Sequence, residues 1–481
     1  MGLLQLSAPV EFEAVSQLSS VFFDCERGQV LSVRGGGVTG VVVRSLEENL
    51  LTARLTANTA EPIISIKLSP SLATLSLQRS RQTVTFLPLT AGGPDEQAEY
   101  SQAARAKHCA LLGFLWLSNS DLLYVTDCGL ETFTVCQERR TVKYSRSAGE
   151  SLAWYVVSGH LVVTSSQAET DTLTVWSVRG GNILKVSSIA LGHTVTDKEV
   201  KVLSVYLTAY ICVTLDQQIK LFNITTDTVS LSHVLTDVDS GTIGLHSLDN
   251  IILVHSLSLS RTKLYDLKVC DEAEPHSVSP VVTSSITSEG RPVPYSPNWV
   301  IFLPNVLVDA RSGRMLSVNL KLSTNNLPTT AGLDNLKTAK FLINRQQGKT
   351  PLINLLKSCV AGQVSLGEVG QILRSVVTAF TLHHLHLSHT SDPGCSTSRR
   401  SLAAPPRDFP PAVVLDQPDI FTNVLNTFTD SGRKIVIMII LYLTLTDLQK
   451  CRRRSCWRCW WSTSTACWTS PSARGSSCWS S

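Results

Sequence analysis

Apolar and polar positions along the first two thirds of the chain fall into a unit that recurs seven times. Each unit is an apolar run, a turn, an alternating run, and a strand that ends on an aromatic or apolar residue. Anchored on Phe22, Ile64, Leu112, Trp154, Leu203, Leu245 and Trp299, the units are spaced by 42, 48, 42, 49, 42 and 54 residues. A four-stranded propeller blade occupies a period of that size. A four-stranded sheet cannot hide two apolar faces alone, and radial stacking of blades hides both. Residues 83–87, 132–136, 173–176, 219–222 and 263–267 are β-branched and aromatic in the manner of half-buried strands, and are read as the outer strands of their units. Trp176 is followed by Ser177, and no unit carries the Gly-His and Trp-Asp pairs of WD repeats in register. The expected fold is mainly β, a degenerate seven-bladed β-propeller followed by an α-helical C-terminal domain that is truncated or corrupted at its end. Two β-sandwiches in tandem are the rival arrangement, because short strands at regular spacing suit both.

Past residue 330 the apolar spacing changes to three and four, starting with Leu336, Phe341, Leu352, Leu355, Leu356 and Val360. Residues 352–387 read as two helices broken near Ser365-Leu366-Gly367, with Ser365 as cap and Glu368 completing a capping box. Leu366, Val369, Ile372, Leu373, Val376 and Val377 form one apolar stripe that must dock on something. The organisation expected is a propeller over 1–330, a helical region over 331–389, a disordered linker rich in Pro and Ser over 390–418, a helical segment over 419–449, and an aberrant low-complexity tail over 450–481. Five of the nine tryptophans and five of the 13 cysteines lie in the last 31 residues, where no helix or strand period survives. That tail reads as out-of-frame or mis-spliced coding sequence.

Charge and cysteine usage narrow the function. Residues 431–481 hold eight of the 42 basic and one of the 38 acidic residues, leaving −3 for the first 430. A near-neutral body lacks the concentrated basic surface that phosphate backbones require, so no nucleic-acid partner is expected. Cys25, Cys109, Cys128, Cys136, Cys212, Cys270, Cys359 and Cys395 are scattered singly, which suits free thiols in a reducing cytosol. The sequon at Asn223 falls on a predicted strand with no secretory signal upstream. Leu6 stands where a myristoylation signal needs Ser or Thr. The longest apolar run, residues 435–443, is far short of the ~20 residues a spanning helix needs. Membrane contact is therefore expected to be peripheral or through a partner.

Four motifs invite chemistry. Gly35-Gly36-Gly37-Val38-Thr39-Gly40 matches a dinucleotide fingerprint by letter, but valines on both sides make it a turn between two strands, without the helix that would face a pyrophosphate. Gly348-Lys349-Thr350 resembles the end of a P-loop, yet Ile343 replaces its first glycine, and a turn opening a helix with Pro351 at its first position is the plainer reading. His383, His384, His386 and His389 include pairs on one helical face, with no Cys or carboxylate spaced to complete a zinc shell. Cys456 and Cys459 form a C-x-x-C pair inside the aberrant tail, with no second pair. No G-x-S-x-G elbow and no H-E-x-x-H occur. The expectation is no enzyme, no cofactor and no metal, with the partner-interface residues unassigned.

Longer stretches carry a resemblance. Pro9-Val10-x-Phe12, Val21-Phe22-Phe23-Asp24, Val33-Arg34-x-Gly36-Gly37-x-Thr39-Gly40-Val41-Val42-Val43, Leu112-Gly113-Phe114-x-Trp116, Val125-Thr126-Asp127-x-Gly129 and Trp299-Val300-Ile301-Phe302 are similar to the regulator subunit of the Mon-Ccz exchange complex, the Mic or Bulli family. In the helical part Phe341-Leu342-x-x-Arg345 and Val414-Leu415-Asp416-Gln417-x-Asp419 extend the match. The resemblance implies a propeller followed by helices, acting as a non-catalytic scaffold or regulatory subunit of the Mon-Ccz heterodimer. It implies activation of the late-endosomal Rab-seven GTPase through that heterodimer, on the cytosolic face of late endosomes and lysosomes, in endosome maturation, autophagy and lysosomal trafficking. The family continues into further helices where this chain enters its tail. A vesicle-coat or tethering subunit, which also joins propeller to helices, and a propeller hydrolase are the rival functions.

Overall fold

A computed structural model describes residues 3–38, 40–46, 49–53, 62–90, 93–94, 98–106, 108–269, 275–322, 334–361, 364–390, 412–415 and 417–424. The chain divides into two compact units, residues 2–319 and 320–481, with Met1 grouped with the second.

The first unit is a ring of seven sheets, one for each sequence repeat. Blade 3 shows the plan, with strands Leu111–Trp116, Asp121–Thr126, Gly129–Cys136 and Thr141–Gly149 in simple antiparallel order. Its second strand is buried at five of six positions, because both of its faces meet neighbouring blades. Such a strand reads as a continuous apolar run and does not alternate. The seven anchors lie on, or one residue before, the innermost strands Ser19–Asp24, Ser65–Leu68, Leu111–Trp116, Leu152–Ser158, Val200–Val205, Ile243–Leu248 and Val300–Phe302.

The strands taken from sequence as outer are the third of each blade, and this is a correction. In blades 3 and 4 a fourth strand, Thr141–Gly149 or Asn182–Ala190, lies outside them. These outermost strands are mostly exposed, so they need no apolar pattern and leave little trace in the sequence. Blade 5 gains a fifth strand, His276–Val278, which pairs in parallel with Val229–Leu235.

Blade 7 is built from both ends of the unit. Val300–Phe302, Val306–Asp309 and Arg314–Leu320 are completed by Leu4–Leu6, while Val10–Glu11 also pairs with Arg314–Leu320. Ser7 N donates to Ser317 O at 2.9 Å and Ser317 N donates to Ser7 Oγ at 2.9 Å, locking the closing strand. Gly313, at φ +67, turns the chain beneath Phe12; a Cβ there would lie 2.3 Å from Phe12 O.

Apolar side chains fill every junction of the ring. Leu31 and Val41 meet Leu75 and Leu77 between blades 1 and 2, and Phe86 meets Phe114, Tyr124 and Phe133 between blades 2 and 3. Leu123 and Val125 meet Val162 and Trp176 next, then Val163 and Val175 meet Val202 and Ile211, and Cys212 and Leu221 meet Leu245 and Ile252. Val30 and Phe12 close on Val306 and Met315. Each such side chain contributes about 1.5–3 kcal/mol when fully buried. At the junction of blades 6 and 7, Gly244 leaves the space that Ile301 fills.

The second unit contains α1 (Asn335–Ile343), α2 (Lys349–Ala361), α3 (Leu366–Thr390) and α4 (Gln417–Asn423). Asp334 caps α1, its Oδ1 accepting from Lys337 N at 2.6 Å. Ser365 Oγ accepts from Glu368 N at 3.2 Å at the start of α3. The Glu368 carboxylate does not complete a box; it accepts from Asn335 Nδ2 at 3.0 Å and so ties α3 to α1. Val369, Ile372, Leu373, Val376 and Val377 are buried, with α1 packed on α3, while Leu366 remains exposed. The stripe is therefore spent largely inside the protein. Linker residues 391–411 and everything beyond 424 lie outside the described residues, including the 435–443 run and the tail.

Candidate functional site

The titratable side chains that gather in the propeller sit where the inner strands end. The blade 1 turn Asp24-Cys25-Glu26-Arg27 follows strand Ser19–Asp24, and reaches another blade because Gly28, at φ +59, reverses the chain tightly. Asp24 pairs with Lys67 of blade 2 at 2.9 Å, both side chains largely buried. Glu26 Oε2 accepts from the backbone N–H of Gly159 at 2.8 Å, joining blade 1 to the first turn of blade 4. Tyr155 of blade 4 lies over Gly113 of blade 3, where a Cβ would fall 1.9 Å from its hydroxyl.

Burial pushes the Cys25 thiol and the Glu26 carboxyl up, raises Tyr155 to about 12, and holds the Lys201 ammonium down. Cys25 and Glu26 are nonetheless exposed to solvent. Side chains ringed by protein on a wetted wall have both properties. A raised thiol favours the unreactive protonated form. Glu26 is held by a backbone donor and Asp24 by a lysine, so this arrangement braces blades 1, 2 and 4.

A second polar array runs through blade 6. His246 Nε2 meets Val306 O at 3.1 Å, His255 Nε2 meets His246 Nδ1 at 3.0 Å, and His255 Nδ1 meets Thr262 Oγ1 at 2.7 Å. Thr262 Oγ1 meets Tyr295 OH at 2.5 Å, and that oxygen accepts from Ile286 N at 3.2 Å. A carbonyl can only accept, so His246 carries its proton on Nε2 and accepts at Nδ1. His255 then donates from Nε2 and accepts from Thr262, which accepts from Tyr295. Every member is satisfied with both rings neutral. Burial lowers His246 to about 4 and His255 well below its ordinary value. Sequence reasoning missed this array because its members lie on separate strands with no motif spacing.

The motifs singled out from sequence fall as follows. Gly35–Gly37 forms a tight turn between strands Gln29–Arg34 and Gly40–Ser45, as expected for a hairpin. Gly348 precedes α2, and Pro351 occupies its third helical position, not its first, where the missing N–H is still unneeded. Lys349 is paired with Asp419 of α4 at 2.8 Å. His383, His384, His386 and His389 lie on the α3 backbone, their side chains outside the described residues, as are Cys456 and Cys459 altogether. Asn223 sits half-buried in the third strand of blade 5. Without WD signatures, Trp176 still donates to Thr164 Oγ1 at 2.9 Å across blade 4.

The free-thiol reading is corrected at one pair. Cys109 and Cys128 are disulfide-bonded, with Cα atoms 5.7 Å apart. The strand pair Leu111–Trp116 and Asp121–Thr126 brings residues 19 apart in sequence to one end of blade 3. Asp127 lies beside them, its Oδ1 accepting from Ala110 N at 2.8 Å. The three side chains cluster closely enough to ligate a metal, but the bonded sulfurs are committed to each other.

These features define a protein of the class that follows a closed propeller with a helical unit. Within that class, a family model described as "Regulator of MON1-CCZ1 complex, N-terminal" matches residues 21–142. The human and mouse proteins named Regulator of MON1-CCZ1 complex are each 25% identical over 90% of this chain and 72% of their own length. The chain is similar to these proteins, as its sequence resemblance indicated. Among solved structures, Kluyveromyces lactis Hsv2 is similar at 11% identity and a TM-score of 0.41, over 63% of this chain and 98% of that one. The Cps50 (Swd1) β-propeller domain is similar at 11% identity and a TM-score of 0.39, over 66% and 100%.

Proposed function

We propose that this chain is a non-catalytic regulatory subunit of the MON1-CCZ1 complex, supporting that complex in activating a Rab-seven GTPase on the cytosolic face of late endosomes and lysosomes. The observation that carries the reading is the reach of the human match, which extends over 90% of the chain and so spans propeller and helices together. The bracing of blades 1, 2 and 4 by Lys67, Asp24 and Glu26 suits a scaffold, whose rigid edges serve while the chemistry resides in the partner. Membrane association then comes through partners; among the described residues no helix is long and apolar enough to cross a bilayer. The test is co-purification of the full chain with the MON1-CCZ1 heterodimer, followed by nucleotide release from Rab-seven with heterodimer alone, chain alone and both. Association with altered release only when both are present is expected. Failure to associate, or nucleotide release driven by the chain alone, overturns the reading.

A further inference from the structure

All seven inner strands run the same way, so the ring has a leading face where they begin and a trailing face where they end. The leading face also carries the turns between second and third strands. Exposed apolar side chains gather on it over four consecutive blades. Val300 of blade 7, Leu18 of blade 1, Ile64 of blade 2 and Leu112 of blade 3 stand at or beside the start of the inner strands, 50%, 65%, 49% and 38% exposed. Val38 adds to them from the adjoining blade 1 turn. Four side chains near equivalent positions on neighbouring blades share one rim, which scattered surface leucines do not.

Charge divides the same face. Beside these side chains stand exposed Arg34, Arg81, Arg311 and Arg314, against Glu11 and Glu13, and Glu13 approaches Arg34 at 3.7 Å. The leading ends of blades 4 and 5 instead carry exposed Glu169, Asp197, Glu199 and Asp216 against a single exposed Lys198, with Asp237 paired to Lys263 at 3.0 Å. An anionic membrane laid across the face would meet those carboxylates, and like charges repel. A narrower occupant covering only the rim of blades 7, 1, 2 and 3 meets apolar side chains and arginine together.

We propose that the leading face of blades 7, 1, 2 and 3 is a protein-docking surface for a partner segment that presents apolar side chains flanked by carboxylates. The apolar anchors supply affinity, and the arginines fix orientation through paired N–H donors on carboxylates. This deepens the regulatory reading and rests on it, with the segment supplied by the MON1-CCZ1 heterodimer.

The test measures binding of the full chain to immobilised heterodimer at low and high salt, and separately to vesicles containing phosphatidylserine. The variants are Leu18→Asp with Val300→Asp, Arg81→Glu with Arg311→Glu, and Leu207→Asp on the trailing face, where Leu207 is 85% exposed. Both leading-face pairs should weaken heterodimer binding at least about tenfold, the arginine pair should also flatten the salt dependence, and Leu207→Asp should bind as wild type. Thermal melting of each variant separates lost contact from lost fold; should the leucine pair melt early, the arginine pair decides. Wild-type binding that all variants retain overturns this inference and leaves the regulatory reading standing. Leading-face variants that lose only vesicle binding also overturn it, in favour of a lipid surface. No wild-type binding removes the regulatory reading, and this inference with it.

Discussion

Acidification should unfold the propeller through blade 6. His246 titrates at about 4 in the fold against an ordinary 6.5, because burial disfavours its cation. Its folded pKa is depressed, so between pH 6.5 and 4 the unfolded chain binds the proton and the native chain does not. Stability is therefore full above about pH 6.5 and lost as pH falls toward 4. At about 1.4 kcal/mol per pKa unit, the gap is worth about 3 kcal/mol once pH lies below 4, and about 2 kcal/mol has gone by pH 5. His255, held lower still by burial and by His246, loses stability from the same pH 6.5 onset and goes on losing it below pH 4. The assay is urea denaturation of the full chain, followed by tryptophan fluorescence at pH 7 and pH 5, beside His246→Gln. Glutamine can donate to Val306 O and accept from His255 without titrating, so the wild type should lose about 2 kcal/mol more than the variant over that interval. Equal losses in the two proteins would refute the assigned proton chain.

Two further outcomes follow from the ring. Gly313→Ala places a methyl against the Phe12 backbone at a positive φ and should cost about 1–3 kcal/mol, measured as a lowered thermal midpoint; an unchanged midpoint would show that the closing segment yields freely. Reducing Cys109–Cys128 opens a loop spanning 19 residues and should cost about 3 kcal/mol in urea unfolding with and without dithiothreitol, while unchanged curves would contradict a bond that constrains the unfolded chain.

The repeat was legible because the second strands are buried on both faces, and burial leaves apolar runs. The anchors Phe22 through Trp299 fall on, or one residue before, the innermost strand that precedes each such run. The outermost strands were misassigned because Thr141–Gly149 needs no apolar pattern at an exposed edge. Leu4–Leu6 gave no sign of its destination, since nothing local to those residues names a partner strand more than 300 positions later. The Glu26–Gly159 tie, the Cys109–Cys128 bond and the His246–His255 pair share that difficulty. Each is a product of topology acting on residues whose local sequence is ordinary. In the helical unit the α3 stripe was legible by spacing, but its docking beside α1 and the use of Glu368 by Asn335 required the tertiary fold.

The strand that closes blade 7 sets a timetable for synthesis. Ser7 and Ser317 are 310 positions apart, so at roughly 5–20 residues per second the ribosome takes about 15–60 s between making the closing strand and making its partner. During that interval blades 1 to 6 can stack in order, but Leu4 and Leu6, buried in the finished ring, have no sheet to join. A nascent chain must keep its first residues unentangled until the last blade emerges, which makes the amino terminus the place where chaperone capture or an appended tag bears most directly on the yield of folded protein.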